Sequence, residues 1–530
     1  KPRQNRGSLN LRNTFLISLI LIAGLAASAQ ESNEPEKSFD ESYKEALAKN
    51  PEDVTFTIRL VDGKTQFYQG EIIRVELLFS SSTPGRYEAE TREYDRSGRL
   101  FNESFHVDPE DGAVDPLYDY FYSGYPCGFA CGGGSSGPKV LEEKSCSFVL
   151  QINEWLRFDK PGTCRLYAES CRVWDTKDRG KDGVTRTHLP ITSDITQLQI
   201  LPADPEWSQE KLKEAIRVLD AEPVTYEQLV GKHRWVQEEH DKALRFLEDQ
   251  GAKRKQAART LRFLGTEQAT VELIKRFNGV DEFNGYDAEY GLGLLGSPHQ
   301  SFVVKEMEKY LESPGHPVSR KFLMILSLSA FYLGPRHPKP TSGPDEEENA
   351  KRWREYFENE KLSYREIETQ YLGRLVAAIP NKDGQAKAIS LAAVVEVARE
   401  TPEKQQAEKI ADYLKTLPSE IAPIFHTLPD LTQDILLSSY SRYLKHPAMI
   451  PVLQDIYENP PQTDRYRREA ALSLLYQISP EEGRKIILEE INSSHPCVRI
   501  HILELLPEET LPGIDEVIVD NLNNWQSGEP

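Results

Sequence analysis

Apolar and polar positions follow two different rhythms along the 530 residues. Between about residues 51 and 203 the period is two. In VTFTIRLV (54–61), Val54, Phe56, Ile58 and Leu60 alternate with polar partners. IIRVELLF (72–79), RYEAETREYD (86–95), SFVLQI (147–152), TCRLYAESCRVW (163–174) and ITQLQIL (195–201) are further β-rich runs, with turn signals every 8 to 15 residues. Short strands at such spacing predict an antiparallel sandwich. After Pro205 the period becomes helical. WSQEKLKEAIRVLDA (207–221) places Leu212, Ile216 and Leu219 on one face, with Ser208 as the expected N-cap.

Within the β-rich part, NEWLRFDKPGTCRLYAES (153–170) carries Asp159, Pro161, Gly162 and Leu166. This resembles the D-x-P-G-x-Y-x-L turn and strand of bacterial immunoglobulin-like domains. Cys164 stands where that pattern has an aromatic residue, which removes the tyrosine-corner hydrogen bond. Pro161-Gly162 favours a type II turn. The resemblance implies an Ig-like β-sandwich over residues 51–203.

The helical part repeats. Tyr466-Arg467-x-x-Ala470-x-x-x-Leu474 recurs 32 residues later as Val498-Arg499-x-x-Ile502-x-x-x-Leu506. Arg254-x-x-Ala257-x-x-x-Leu261 has the same frame, and Arg320 follows Arg254 by 66 residues. His316-Pro317-x-x-Arg320 matches His495-Pro496-x-x-Arg499, and Leu264-Gly265-Thr266 returns as Leu295-Gly296-Ser297. Residues 206–525 thereby resemble a HEAT-type array, an all-α solenoid of stacked helix pairs. Stacking buries an apolar face that one pair cannot bury alone. The resemblance implies that each motif arginine pairs with a neighbouring acid or helix C-terminus. It also implies a concave face that binds another protein. GPRHPKPTSGPDEEEN (334–349) interrupts the array and reads as a flexible insertion.

The N-terminus follows neither rhythm. Lys1, Arg3, Arg6 and Arg12 precede TFLISLILIAGLAASA, and Ala27-Ser28-Ala29 has the small-x-small form of a signal-peptidase site. Residues 1–29 read as a secretory signal peptide, with an uncleaved anchor as the alternative. No cysteine at the cleavage point supports lipidation, and the first residue, Lys, leads us to expect residues upstream. Residues 30–50 are polar and acidic and read as a linker. No internal stretch reaches the roughly 20 apolar residues of a membrane helix. Export places the protein in the periplasm, at the cell surface or outside the cell.

Charge narrows the partners. The chain has 64 bases and 84 acids, and the signal segment holds four of the bases and none of the acids. The mature chain therefore carries 60 bases against 84 acids, a net −24. Such a surface repels phosphate backbones and anionic lipid, so neither nucleic acid nor a membrane surface is an expected partner.

Neither H-E-x-x-H nor G-x-x-x-x-G-K-[ST] occurs, and the G-x-S-x-G match, Gly133-Gly134-Ser135-Ser136-Gly137, lies in a glycine-serine run. No cofactor is implied. The loop from Asp175 to Gly183 interleaves bases among its acids, which spoils it for calcium and leaves a charged hairpin. His233 and His240 lie too far apart to chelate one metal, so no metal ligands are assigned.

One segment stands apart: YDYFYSGYPCGFACGGGSSGPK (118–139). Two readings compete. Tyr, Ser and Gly are what recognition loops use, since Tyr gives a large contact at low entropy cost. In that case Tyr120, Tyr122, Tyr125 and Phe129 form a binding surface. Otherwise Tyr118, Tyr120 and Tyr122 share one face of a strand and pack locally. Cys127, Cys131, Cys146, Cys164 and Cys171 cluster in the β-rich part, where an oxidising compartment makes them disulfide candidates. Cys164 and Cys171, seven apart on one strand, face opposite sides about 23 Å apart and cannot bond each other. Cys497 reads as a core residue.

The function these readings support is non-catalytic binding or scaffolding of a protein partner. The rivals are a carbohydrate-binding accessory protein of the cell envelope and an enzyme with an unrecognised site.

Overall fold

The structure, a computed structural model, describes residues 37–91, 102–122, 137–179, 186–230, 237–277, 285–340, 346–400, 418–428, 441–459 and 465–491, with Gln433, Asp434, Leu436, Leu437, Glu516 and Val519. It shows a β-rich region followed by a largely helical one. The strands are β1 (Val54–Leu60), β2 (Gln66–Tyr68), β3 (Arg74–Ser81), β4 (Tyr87–Ala89), β5 (Glu103–Asp108), β6 (Lys139–Val140), β7 (Cys146–Gln151), β8 (Gly162–Arg179), β9 (Arg186–Thr192) and β10 (Thr196–Leu201). Helices are α1 (Phe39–Leu47), α2 (Tyr118–Tyr122), α3 (Pro205–Asp220), α4 (Tyr226–Val230), α5 (Gln237–Leu264), α6 (Glu267–Arg276), α7 (Gly285–Leu295), α8 (Gln300–Glu312), α9 (Arg320–Leu333), α10 (Glu346–Ala378), α11 (Gly384–Glu400), α12 (Ile450–Glu458), α13 (Arg465–Ile478) and α14 (Pro480–Ile491).

Two sheets form. One has the order β1-β3-β7; the other runs β2-β10-β8-β4-β6, with β5 and β9 also paired to β8. The 18-residue β8 is the spine of the second sheet, antiparallel to β10, β5, β4 and β9. The alternation read in the sequence is the burial alternation. Val54, Phe56 and Ile58 of β1, Val75, Leu77 and Phe79 of β3, and Cys146, Phe148 and Leu150 of β7 turn inward. They share one core with Leu166, Ala168, Val173, Leu198 and Ile200 of the second sheet. Phe56 and Phe79, directly opposed in register, stack with ring centres 4.5 Å apart.

Beside this core, among the described residues, lies a buried ion pair. Arg172 and Glu103 are both fully buried; a guanidinium nitrogen of Arg172 reaches Glu103 Oε2 at 3.1 Å and another donates to the Glu90 carbonyl at 3.0 Å. Burial pushes the Glu103 carboxyl up, while Arg172 and Ser170 pull against it.

The stretch expected as a linker is partly helical. Ser38 and Glu41 form a reciprocal capping box that starts α1. Phe39 and Tyr43 then lay their rings 5.2 and 5.1 Å from Tyr167 of β8, and Arg165 donates to Asp40 at 3.0 Å. Asn50 exchanges hydrogen bonds of 2.7 Å with the Thr192 backbone.

By its internal contacts the chain divides into two compact units. The first comprises the described residues up to 277 with 285–304 and 328–366; the second takes 305–327 and the described residues from 367. The junction between the β-rich region and the first helices, expected near residue 204, therefore lies inside the first unit. Side-chain and backbone contacts close it. Arg262 of α5 is held by Glu154 at 3.0 and 2.6 Å and by Glu289 of α7 at 2.8 Å. Arg157 donates to the Gly296 carbonyl at 2.7 Å, and Gln151 to Gln256 at 3.0 Å. Gly70, at φ +82°, presses on the Leu264 carbonyl. Burial pushes the Glu289 carboxyl up, but Arg262 and Arg259 outweigh it and hold the group below the usual range. A cavity of about 30 Å³ beside Arg262, Phe263, Asn153 and Leu156 has room for little more than water.

The motif arginines pair as expected wherever they are described. In the first unit, Arg254 donates to the Leu219 and Ala221 carbonyls at the end of α3, at 2.9 and 2.7 Å. In the second, Arg320 donates to Glu368 at 2.7 Å and Arg467 to Asp434. Arg499 and His495 lie outside the described residues. Of the repeated Leu-Gly-Thr/Ser turns, the first places Gly265 at φ +61° and lets the Thr266 hydroxyl cap α6. At the second, Ser297 accepts from the His299 N–H at 3.1 Å. Helix α3 starts earlier than expected. Asp204 caps it by accepting from Glu206 and Trp207, and Pro205 occupies the first turn. Ser208 is already inside, its N–H bonded to the Asp204 carbonyl at 2.9 Å. Among the described residues no helix is long and apolar enough to cross a membrane.

Candidate functional site

The aromatic segment begins as a helical turn, not a strand. Asp115 accepts from the Leu117 N–H at 3.0 Å, and α2 follows. Leu117 and Phe121, four apart, are buried at 1 % and 3 % exposure, which turns Tyr118 outward at 50 %. The expectation that Tyr118, Tyr120 and Tyr122 share one strand face is therefore corrected by helical spacing. Tyr120 is half-buried and packs its ring edge-on against Phe121 at 5.0 Å. Tyr122 closes the helix. Tyr125, Phe129, Cys127 and Cys131 lie outside the described residues.

Against α2 lies the start of the stretch expected as a flexible insertion. Lys339 places its ammonium 5.1 Å from the centre of the Tyr118 ring. Arg336 stands 3.6 Å from Asp119 and donates to Glu360 of α10 at 2.6 Å. Its guanidinium also covers the Phe331 ring at 4.4 Å and the Tyr332 ring at 5.4 Å. The His337 N–H donates to Glu360 at 3.1 Å, and Tyr356 reaches the same carboxylate at 3.4 Å. Burial, then the Glu360 charge, raises the Tyr356 phenol above its ordinary value. Residues 334–340 are thus pinned, while α10 already begins at Glu346.

The result is a surface built from two stretches more than 200 positions apart. The exposed Tyr118 and Lys339 meet on it, and the Arg336–Glu360 pair fastens it. Aromatic rings bearing cations, over a salt-bridged base, suit recognition by stacking and cation–π contact. Tyr120 and Tyr122 were legible from the sequence as part of this segment; Arg336, Lys339 and Glu360 were not. Their signal was the run Arg336-His337-Pro338-Lys339, whose bases sit among prolines.

The remaining candidates are apart from this surface. Cys146 and Cys164 are buried and Cys171 exposed, all three as free thiols. Burial pushes the thiols of Cys146 and Cys164 up, which keeps them protonated and unreactive. Cys164 and Cys171 share β8, one turned in and one out, as their spacing required. The acidic stretch from Asp175 starts as strand, with Asp175 taken by Arg86 at 2.9 Å. His240 bonds the Tyr226 hydroxyl at 2.7 Å. Among the described residues no three His, Cys, Asp or Glu side chains gather as a metal site.

Comparison with known proteins adds no relative: no family model, no curated protein and no solved structure matches the chain.

Proposed function

We propose that this is an exported, non-catalytic binding or scaffold protein, an Ig-like β-sandwich followed by a HEAT-like α-solenoid that recognises a protein partner. Export rests on the charged, apolar and small-residue order of residues 1–29. Two sheets sharing one core support the sandwich. Arg254 and Arg467 in one sequence frame, with Arg320 66 residues after Arg254, each tied to an earlier or later helix, support the repeat array. The partner is held by the concave face of the repeats and by the surface around Tyr118. One observation carries the recognition half: Lys339 and Arg336 meet the foot of the aromatic, glycine-rich loop.

Crosslinking mass spectrometry on the exported protein in its native envelope tests this. Crosslinks to one partner should fall on residues 118–122, 334–340 and the helical repeats, and a Tyr118→Ser/Lys339→Glu variant should lose them. Partner crosslinks that map elsewhere and survive the variant overturn the reading. The exposed Tyr118 ring also supports a second reading, stacking on a sugar. Glycan pulldown that depends on Tyr118 and Tyr120, with no protein partner captured, would favour it.

A further inference from the structure

A sheet that is not closed has two edges, and exposed edges invite another strand. The two edges of the three-stranded sheet are treated differently. On β1, the Ile58 N–H points outward and is taken by the Asp194 carboxylate at 2.8 Å. On β7 nothing comparable exists among the described residues. The Ile152 N–H donates to the Ile73 carbonyl at 3.0 Å, which fixes the alternation. Leu150, Phe148 and Cys146 then bond β3, and the backbone groups of Ser147, Val149 and Gln151 face away. No described residue bonds them. The strand CSFVLQ holds no charge, proline or glycine, so it lacks the usual guards. Val149 is 40 % exposed beside this open edge, and Val140, on the edge strand β6 of the other sheet, is 44 % exposed.

We infer that β7 is the seat of a second copy of this chain, paired antiparallel about a two-fold axis through Val149. The strand itself argues for that occupant. A two-fold axis sets Val149 against its own symmetry mate and Ser147 against Gln151, so the outward donors of each copy meet the outward acceptors of the other. Symmetry duplicates every charge, and in a chain of net charge −20 a charged edge would repel itself. This edge has none.

Sedimentation equilibrium on the full exported chain, up to about 100 µM, reads the outcome. The wild type should show a monomer–dimer equilibrium with a dissociation constant on the order of micromolar, as a small edge contact gives. Val149→Lys should raise that constant by at least about 10-fold, because two ammonium groups meet on the axis. Val149→Pro removes only an outward donor and should leave a monomer. Far-ultraviolet dichroism and thermal midpoint establish that each variant is folded. Should Val149→Pro fail to fold, Val149→Lys decides alone, since its side chain points to solvent. A wild type that stays monomeric overturns the inference. So does a dimer that Val149→Lys leaves unchanged.

Discussion

Arg262 grips Glu154 with two hydrogen bonds, 3.0 and 2.6 Å long, where both residues are less than a tenth exposed. One partner lies on a short turn after β7 and the other on α5. The same guanidinium takes Glu289 at 2.8 Å, so one cation balances two buried carboxylates, with help from Arg259. Removing it leaves both anions short of a partner in a low-dielectric place. Arg262→Ala should therefore cost about 3–5 kcal/mol in urea unfolding. Arg259→Ala, at a more exposed side chain, should cost clearly less. Equal and small losses for the two would show that the network does not hold the β-rich region to the helices.

Gly70 makes the neighbouring contact through backbone alone. A Cβ there would sit 2.9 Å from the Leu264 carbonyl oxygen, and φ is +82°. Gly63 has a similar φ of +65° with open space around it. Gly63→Ala should cost about 1–2 kcal/mol, the left-handed penalty by itself. Gly70→Ala should exceed that by at least about 1 kcal/mol, because backbone atoms must shift. Thermal or denaturant midpoints of the pair separate the two contributions. If the variants match, the close approach carries no energy.

The sheets were legible because a strand buried on one face writes its burial as alternation, as β1 does; β3 and β7 showed as β-rich runs, and their alternating burial lies beneath the unbroken Leu77-Leu78-Phe79 and Phe148-Val149-Leu150. The motif arginines were legible because their spacing recurs, but their partners differ: Arg254 reaches the end of α3, whereas Arg320 reaches Glu368 inside α10. The aromatic helix was not. Tyrosine is apolar along its ring and polar at its tip, so in YDYFY it hides the period that Leu117 and Phe121 set. Composition misled at both linkers. Polar residues around α1 obscured the spacing of Phe39, Tyr43 and Ala46, although Ser38-x-x-Glu41 marked the helix start. In the insertion, Arg336 finds Glu360 24 residues downstream, a pairing no local pattern encodes.

The start of α3 separates a cap from a residue that resembles one. Asp204 accepts from the N–H groups of Glu206 and Trp207 at 2.9 and 3.1 Å. Ser208 stands four residues later, within the hydrogen-bonded ladder. Asp204→Ala should lose about 1 kcal/mol, and Asp204→Asn should restore most of it. Ser208→Ala should stay within about 0.5 kcal/mol of wild type. Reversed sensitivities would return the cap to Ser208.

Lys382, 5 % exposed, donates its ammonium to the Ser313 and His316 carbonyls at 2.9 Å each. Two carbonyls do not replace a counter-ion, and burial pulls the group down to about 8. The unfolded chain keeps its lysine near the ordinary 10.5. Between those values the unfolded state binds more protons, so raising the pH stabilises the fold. Above about 10.5 both states are neutral and the gain is complete; below about 8 both are charged and the burial penalty stands in full. Relative to Lys382→Met, the wild type should thus become progressively more stable from pH 8 to 10.5. Other groups titrating in that range, tyrosines included, cancel in the difference. Urea midpoints of the two proteins at half-unit steps would show the curves converging or diverging in that window. Parallel curves would mean that water reaches Lys382 and that its ammonium pays no penalty for burial.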